Sequence, residues 1–169
     1  MELETKVLSR ELQQRMYDNG LTIGTAESCT GGRVAEAIIA TPGASKYFKG
    51  GVICYSNEVK ENLLDVSAQV LAEQSAVSEE VAIQMVKGAC ETLKTDYTVA
   101  VTGYAGPVAG ENDGVPVGTI WVACGTKDKT LTLKLNEDFG RDINLAIATN
   151  RALRLMLDFL EQEKGAATE

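Results

Sequence analysis

The pattern that most limits what this chain can become is an alternation of short β-like runs with helix-patterned stretches. Leu21 to Ala26 is the first β-like run, Gly51 to Tyr55 the second and Thr98 to Thr102 the third. The last two are apolar throughout, which predicts strands buried on both faces, as parallel strands usually are. A helix over Arg33 to Ala40, broken by Thr41-Pro42-Gly43, separates the first run from the second. Between the second and third lie a short helix opened by Ser56, another over Ser67 to Ser75, and a longer one capped by Ser78. That longer helix carries Glu79 and Glu80 in its dipole-favoured first turn, and Val81, Met85, Ala89 and Leu93 four apart toward the core. An opening helix from about Glu2 to Asp18, with Val7, Leu8, Leu12 and Met16 at helical spacing, stops at Asn19-Gly20.

The last third changes character. Gly118 to Cys124 is expected to pair with Thr130 to Leu135 as a hairpin; Leu131, Leu133 and Leu135 alternate with polar residues there, so one face is buried. A closing helix from about Arg141 to Gln162 has Ile143, Ile147, Leu153, Leu157 and Leu160 on a broad apolar side, and the tail after Glu163 should fray. Strands alternating with helices and then a hairpin predict one α/β domain over 1–169. It should be a three-layer α/β/α sandwich with a mixed, mostly parallel sheet of about five strands.

Composition excludes several functions. The net charge is −8 and the sixteen Lys and Arg residues are scattered, so no basic field gathers nucleic acid or an anionic membrane. No apolar run reaches membrane-spanning length and the first four residues are no signal peptide, so a cytoplasmic protein is expected. The chain has no histidine, which removes Ser-His-Asp, Cys-His and His-ligated metal schemes. Cys29, Cys54, Cys90 and Cys124 are far apart, form no CxxC pair, and three of them sit in apolar runs as small core residues. Neither metal nor cofactor is expected. Hydrolytic chemistry here must take its base from Lys, Asp, Glu or Tyr.

Thr25-Ala-Glu-Ser-Cys-Thr-Gly-Gly32 sits at the first strand-to-helix turn and puts a hydroxyl beside unpaired N–H groups. An anionic ligand or an oxyanion-forming nucleophile wants those surroundings. On its own, though, the turn reads better as an ordinary helix cap by Ser28 or Thr30. In open sheets ligands gather at the carboxyl ends of strands. Glu27 to Gly32, Tyr55 to Lys60 and Thr102 to Gly114 all fall at such ends. The third is glycine-rich but holds Glu111 and Asp113, which would repel phosphate, so it reads equally as a long connection.

Taken together, these segments resemble a family. Thr25 to Gly32, Gly50-Gly-Val-Ile-Cys-Tyr-Ser-Asn-Glu-Val-Lys60 and Ala100-Val-Thr-Gly-Tyr-Ala-Gly-Pro107, with Ala76-Val-Ser-Glu-Glu80 and Pro116-Val-Gly-Thr119, are similar to the CinA C-terminal-domain family. The resemblance covers nearly the whole chain. It implies a three-layer α/β/α domain and, as the family's characterised activity, nicotinamide-nucleotide amidase. That enzyme hydrolyses nicotinamide mononucleotide to nicotinate mononucleotide and ammonia. It further implies Ser28 as nucleophile and Lys60 as its base, with Tyr55 relaying a proton or orienting Lys60. A lysine base must be neutral, which a partly buried site favours. Expected substrate contacts are Thr30, Gly31 and Gly32 through their N–H groups, Asn57, Thr102, Gly103, Gly106 and Arg141. Cys29, with no imidazole to activate it, is expected to pack.

Some family members carry a further N-terminal domain, which this chain is expected to lack. It also departs from the family pattern. Val108-Ala109-Gly110 stands where the family holds a run of glycines, and Leu145 replaces the second arginine of a GDRxxxR-like segment. Two alternatives therefore accompany the amidase reading: an amidohydrolase acting on another amide, and a non-catalytic nucleotide-binding module. Leu145, Leu155, Met156 and Phe159 lie beside the main stripe of the closing helix. Such an excess of apolar surface marks a partner face, and relatives are commonly oligomeric, so a homodimer is expected.

Overall fold

A computed structural model describes residues 2–168. The chain runs α1 (Leu3–Asp18), β1 (Ile23–Glu27), α2 (Arg33–Ile39), a 3₁₀ turn (Ala44–Lys46), β2 (Phe48–Ile53) and α3 (Asn57–Leu64). It continues through α4 (Ala68–Gln74), α5 (Glu79–Leu93), β3 (Tyr97–Gly103), β4 (Ile120–Gly125), β5 (Thr130–Leu135) and α6 (Arg141–Ala166). The strands form one sheet in the order β2-β1-β3-β4-β5. β1 pairs in parallel with both β2 and β3, whereas β4 is antiparallel to β3 and to β5. Only β4 therefore opposes the common direction, and the sheet is mixed but mostly parallel.

Helices cover both faces. On one, α1, α2 and α6 bury Leu8, Leu12, Val34, Leu153 and Met156 against Ile23, Val99, Val101 and Val122. On the other, α3, α4 and α5 bury Leu64, Leu71, Val81 and Met85 against Ala26, Ala100 and Ala123. The small alanines on that side let α5 approach closely. α5 and α3 touch so closely that a Cβ at Gly88 would collide with the backbone of Leu64. Three helices start alike: the hydroxyls of Ser56, Ser67 and Ser78 accept the N–H groups of Val59, Val70 and Val81, at 3.2, 3.3 and 3.3 Å.

Five expectations need correction. β2 is not buried on both faces; it is an edge strand whose residues alternate between half-buried and exposed. Its apolar character reflects β1 on one side only, and Lys49 and Ile53 face out. Val7 is exposed although it has helical spacing, because the buried stripe of α1 is Thr5, Leu8, Ser9, Leu12 and Met16. Ile143 is likewise exposed, while Leu145, Leu155, Met156 and Phe159 are buried within the chain. α6 packs on the sheet and on α1 together, so the face that suggested a homodimer is already covered. Finally, the tail after Glu163 does not fray at once: α6 continues past Gln162 to Ala166, and Lys129 Nζ meets Glu163 Oε1 at 2.6 Å.

Candidate active site

The topology opens a cleft at the carboxyl ends of β1 and β3. The β1–β2 connection passes over one face through α2, and the β2–β3 connection passes over the other through α3, α4 and α5. The two connections leave in opposite directions, and a crevice remains between them. Ser28 follows β1 directly at this point. Its N–H donates to Val101 O of β3 at 2.9 Å, and the residue is only 8% exposed.

The turn after Ser28 is built around two glycines and one carboxylate. Gly31 (φ +55°) and Gly32 (φ +108°) take the left-handed conformation that side chains disfavour. The Gly31 N–H returns to Ser28 O at 3.1 Å. Glu27, itself buried, accepts from the N–H groups of Gly32 and Val34 through Oε1 (3.2 and 2.9 Å) and from Ala35 through Oε2 (3.0 Å). Glu27 therefore caps α2, and neither Ser28 nor Thr30 does. This corrects the helix-cap reading of those two residues. It also removes Gly31 and Gly32 as ligand donors, because their N–H groups are bonded within the turn. Thr30 is fully buried outside the cleft.

Lys60 arrives from the opposite side. The Ser56 cap starts α3, and the first turn aims the Lys60 side chain back under the sheet edge, where the residue is 1% exposed. Its Nζ lies 3.0 Å from Ser28 Oγ, 2.8 Å from Cys54 O and 3.5 Å from Tyr55 O. No carboxylate pairs with it; the ion pairs among the described residues are Arg15–Glu161 and Lys129–Glu163. Burial pushes its pKa below the ordinary lysine value, and the neighbouring Cys54 and Cys29 oppose this more weakly. A neutral amine has two N–H bonds and one lone pair. The two carbonyls can take the N–H bonds, leaving the lone pair for the Ser28 hydroxyl.

The cleft between these groups measures about 600 Å³, within the usual range for small-molecule sites. Tyr55 lies on it, but the residue is 64% exposed and its phenol bonds to no described residue. Its contact with Lys60 runs through the backbone carbonyl, so the geometry offers no phenolic relay. Asn57 stands on the rim in the first turn of α3. On the far wall, Thr102 Oγ1 donates to Ala76 O at 2.8 Å, and Gly103 faces Ile120 so closely that a Cβ would collide. Gly106 accepts from Arg141 Nη1 at 2.7 Å, which anchors the glycine-rich loop to the start of α6. Cys29 is buried and its thiol is pushed up to about 12 by desolvation, which suits packing and not nucleophilic attack.

Two parts of this wall escaped sequence reasoning. Residues 71–77, at the end of α4 and in the turn after it, close one side of the cleft. Asp113 then ties the glycine-rich loop to that turn, accepting from Ser75 Oγ at 2.7 Å, from the Tyr104 hydroxyl and from Val115 N–H at 3.0 Å. The signal available was an acid among glycines, which reads first as a charge repelling phosphate. Among the described residues no group of three or more His, Cys, Asp or Glu converges, and no helix is long and apolar enough to cross a membrane.

Comparison with known proteins identifies the family. Protein YdeJ of Escherichia coli is 39% identical over 153 residues, covering 90% of this chain and 88% of its own. The nicotinamide-nucleotide amidohydrolase PncC of Escherichia coli is 42% identical over 123 residues, 73% of this chain and 74% of that enzyme. A putative competence-damage inducible protein of Halothermothrix orenii is 41% identical over 91% of this chain, which spans only 37% of that longer relative. The crystal structure of competence damage-inducible protein A from Klebsiella pneumoniae superposes with a TM-score of 0.89 at 36% identity, covering 93% and 97% of the two chains. Residues 5–160 match the CinA C-terminal domain. The chain belongs to the CinA C-terminal domain family.

Proposed function

We propose that this chain hydrolyses the amide of nicotinamide mononucleotide to nicotinate mononucleotide and ammonia, with Ser28 as nucleophile and Lys60 as base. The observation that carries the reading is a buried lysine nitrogen, free of any carboxylate, 3.0 Å from a serine hydroxyl on the cleft. The similarity to PncC supports the choice of substrate.

Neutral Lys60 takes the Ser28 proton as Oγ attacks the carboxamide carbon. Cys29 lines the cleft and its N–H makes no hydrogen bond to another described residue, so it is the donor available for the developing oxyanion. Lys60 then returns the proton to the departing nitrogen and ammonia leaves, giving an ester at Ser28. Water, deprotonated by the same amine, cleaves that ester to the nicotinate and restores the hydroxyl. Arg141 keeps guanidinium N–H groups beyond its bond to Gly106 O and supplies the positive charge for the substrate phosphate. The reaction belongs to pyridine-nucleotide salvage.

A second reading, an amidohydrolase for another amide, is favoured by Glu73, Glu111 and Asp113 on the cleft wall, which disfavour an anionic substrate near them. Ammonia release from nicotinamide mononucleotide by the purified chain tests both. Release supports the nucleotide amide; no release, with ammonia from an uncharged amide, supports the second reading. No release from either, with a ligand-induced rise in melting temperature, leaves a binding module.

A further inference from the structure

We propose that Glu27 is the positioning residue that holds the Ser28 hydroxyl against Lys60. The inference rests on the Ser28–Lys60 pair described under Proposed function. Glu27 stands between the two groups in the hydrogen-bond network. Its carboxylate accepts three N–H groups from Gly32, Val34 and Ala35, closing the turn that carries Ser28 onto the start of α2. Its carbonyl accepts the Cys54 N–H at 2.8 Å, and the Cys54 carbonyl in turn holds Lys60 Nζ at 2.8 Å. One residue thus grips the segment bearing the serine with its side chain and the segment bearing the lysine with its backbone.

The cost of this arrangement argues for a role beyond the fold. A seven-residue helix needs no buried carboxylate to start it; a serine at the cap suffices, as at α3, α4 and α5. Carrying a carboxyl group into a site that is 1% exposed is expensive unless donors surround it. Here three donors do, and all come from the turn next to Ser28. The group does not touch the cleft. It acts through the turn, which takes left-handed φ at Gly31 and Gly32 and so has little stiffness of its own.

Glu27→Gln keeps the shape but offers an N–H₂ where Ala35 N–H needs an acceptor, so the turn loosens on that side. With the hydroxyl displaced by a fraction of an ångström to one ångström, turnover should fall by about 10- to 100-fold, while KM stays within about twofold because no substrate contact changes. A second readout needs no substrate: labelling of Ser28 by a serine-reactive fluorophosphonate should slow in parallel with kcat. Both are measured well below the melting temperature, with circular dichroism showing a folded variant. If Glu27 serves the fold alone, Glu27→Gln will melt earlier yet turn over and label like wild type, which overturns the proposal. Glu27→Asp is the second variant; its carboxylate is one methylene too short to reach all three donors, and it should slow labelling as well. Failure of both variants to fold also overturns the proposal. Wild type that labels at Ser28 but releases no ammonia from nicotinamide mononucleotide refutes the amidase reading, and the labelling rates of the variants still decide the role of Glu27. Wild type that takes no label at Ser28 overturns both.

Discussion

If Ser28 and Lys60 form one reacting unit, removing both should cost no more than removing either. Ser28→Ala deletes a hydroxyl whose contacts are Lys60 Nζ at 3.0 Å and little solvent. One hydrogen bond is worth about 0.5–1.5 kcal/mol net, and Lys60 keeps the Cys54 and Tyr55 carbonyls, so no buried donor is orphaned. No helix cap is lost, because Glu27 caps α2. Against a total stability of about 5–15 kcal/mol the variant should stay folded. Its turnover should nevertheless fall by about three orders of magnitude or more. Lys60→Ala should fall similarly. The double variant should lose about the same three orders, not the roughly six that independent contributions would give. Ammonia release at saturating nicotinamide mononucleotide measures all four rates, and urea unfolding measures all four stabilities. Additive losses in the double variant, or Ser28→Ala retaining a tenth of wild-type turnover, would refute the mechanism.

Other consequences are as specific. Activity should rise with pH and level off above the pKa of Lys60, which burial sets below the ordinary 10.5; Lys60→Arg, whose guanidinium stays protonated, should be inactive across a pH–rate profile. The same group links folding to protons. The unfolded chain binds the Lys60 proton more tightly than the fold does, so the Lys60 contribution to stability should increase with pH between the folded pKa and 10.5, at up to about 1.4 kcal/mol per pH unit, while the buried thiols, shifted up, contribute the opposite trend. The difference in unfolding free energy between wild type and Lys60→Met should shift in favour of wild type as pH rises through that window, because the thiols are common to both proteins. Arg141→Met should raise KM for the nucleotide by about 10- to 100-fold with kcat spared, as expected for a charge-assisted contact; lost kcat at constant KM would contradict a phosphate role. Gly88→Ala should cost on the order of 3 kcal/mol from overlap with the Leu64 backbone, offset only in part by about 1 kcal/mol of helix propensity, and a urea midpoint equal to wild type would defeat this.

The fold was largely legible because its signals are local. Ser78-Glu79-Glu80 announces α5, and the apolar run Thr98 to Thr102 lies in β3, buried on both sides. What periodicity could not supply was the number of neighbours an element would have. Gly51-Val52-Ile53 reads as central because its apolar character says nothing about which strand ends the sheet. Leu145 and Phe159 read as surplus because a helix wheel cannot show that α1 will lie across α6. At the site, Lys60 on its own is one more helix lysine; its burial depends on β2 and α3 meeting at a particular angle, and only the surrounding motif pointed to it. Glu27 was hidden for a different reason. Capping rules look for a short side chain at the cap itself, and here the acceptor reaches forward from the end of the preceding strand, five to eight residues before its donors.

The position of β2 at the sheet margin gives the two halves of the cleft unequal stiffness. Ser28 hangs from β1, which is clamped by a strand on either side, whereas Lys60 follows β2, whose outer row of peptide groups has no neighbouring strand. Local opening in proteins begins where backbone pairing is one-sided. The amides of β2 should accordingly exchange with solvent before those of β1, and breathing of the site should take the form of the lysine side swinging away from a stationary serine. Cooling or ligand binding that quiets the margin would then act on the base alone, leaving the nucleophile where the centre of the sheet already holds it.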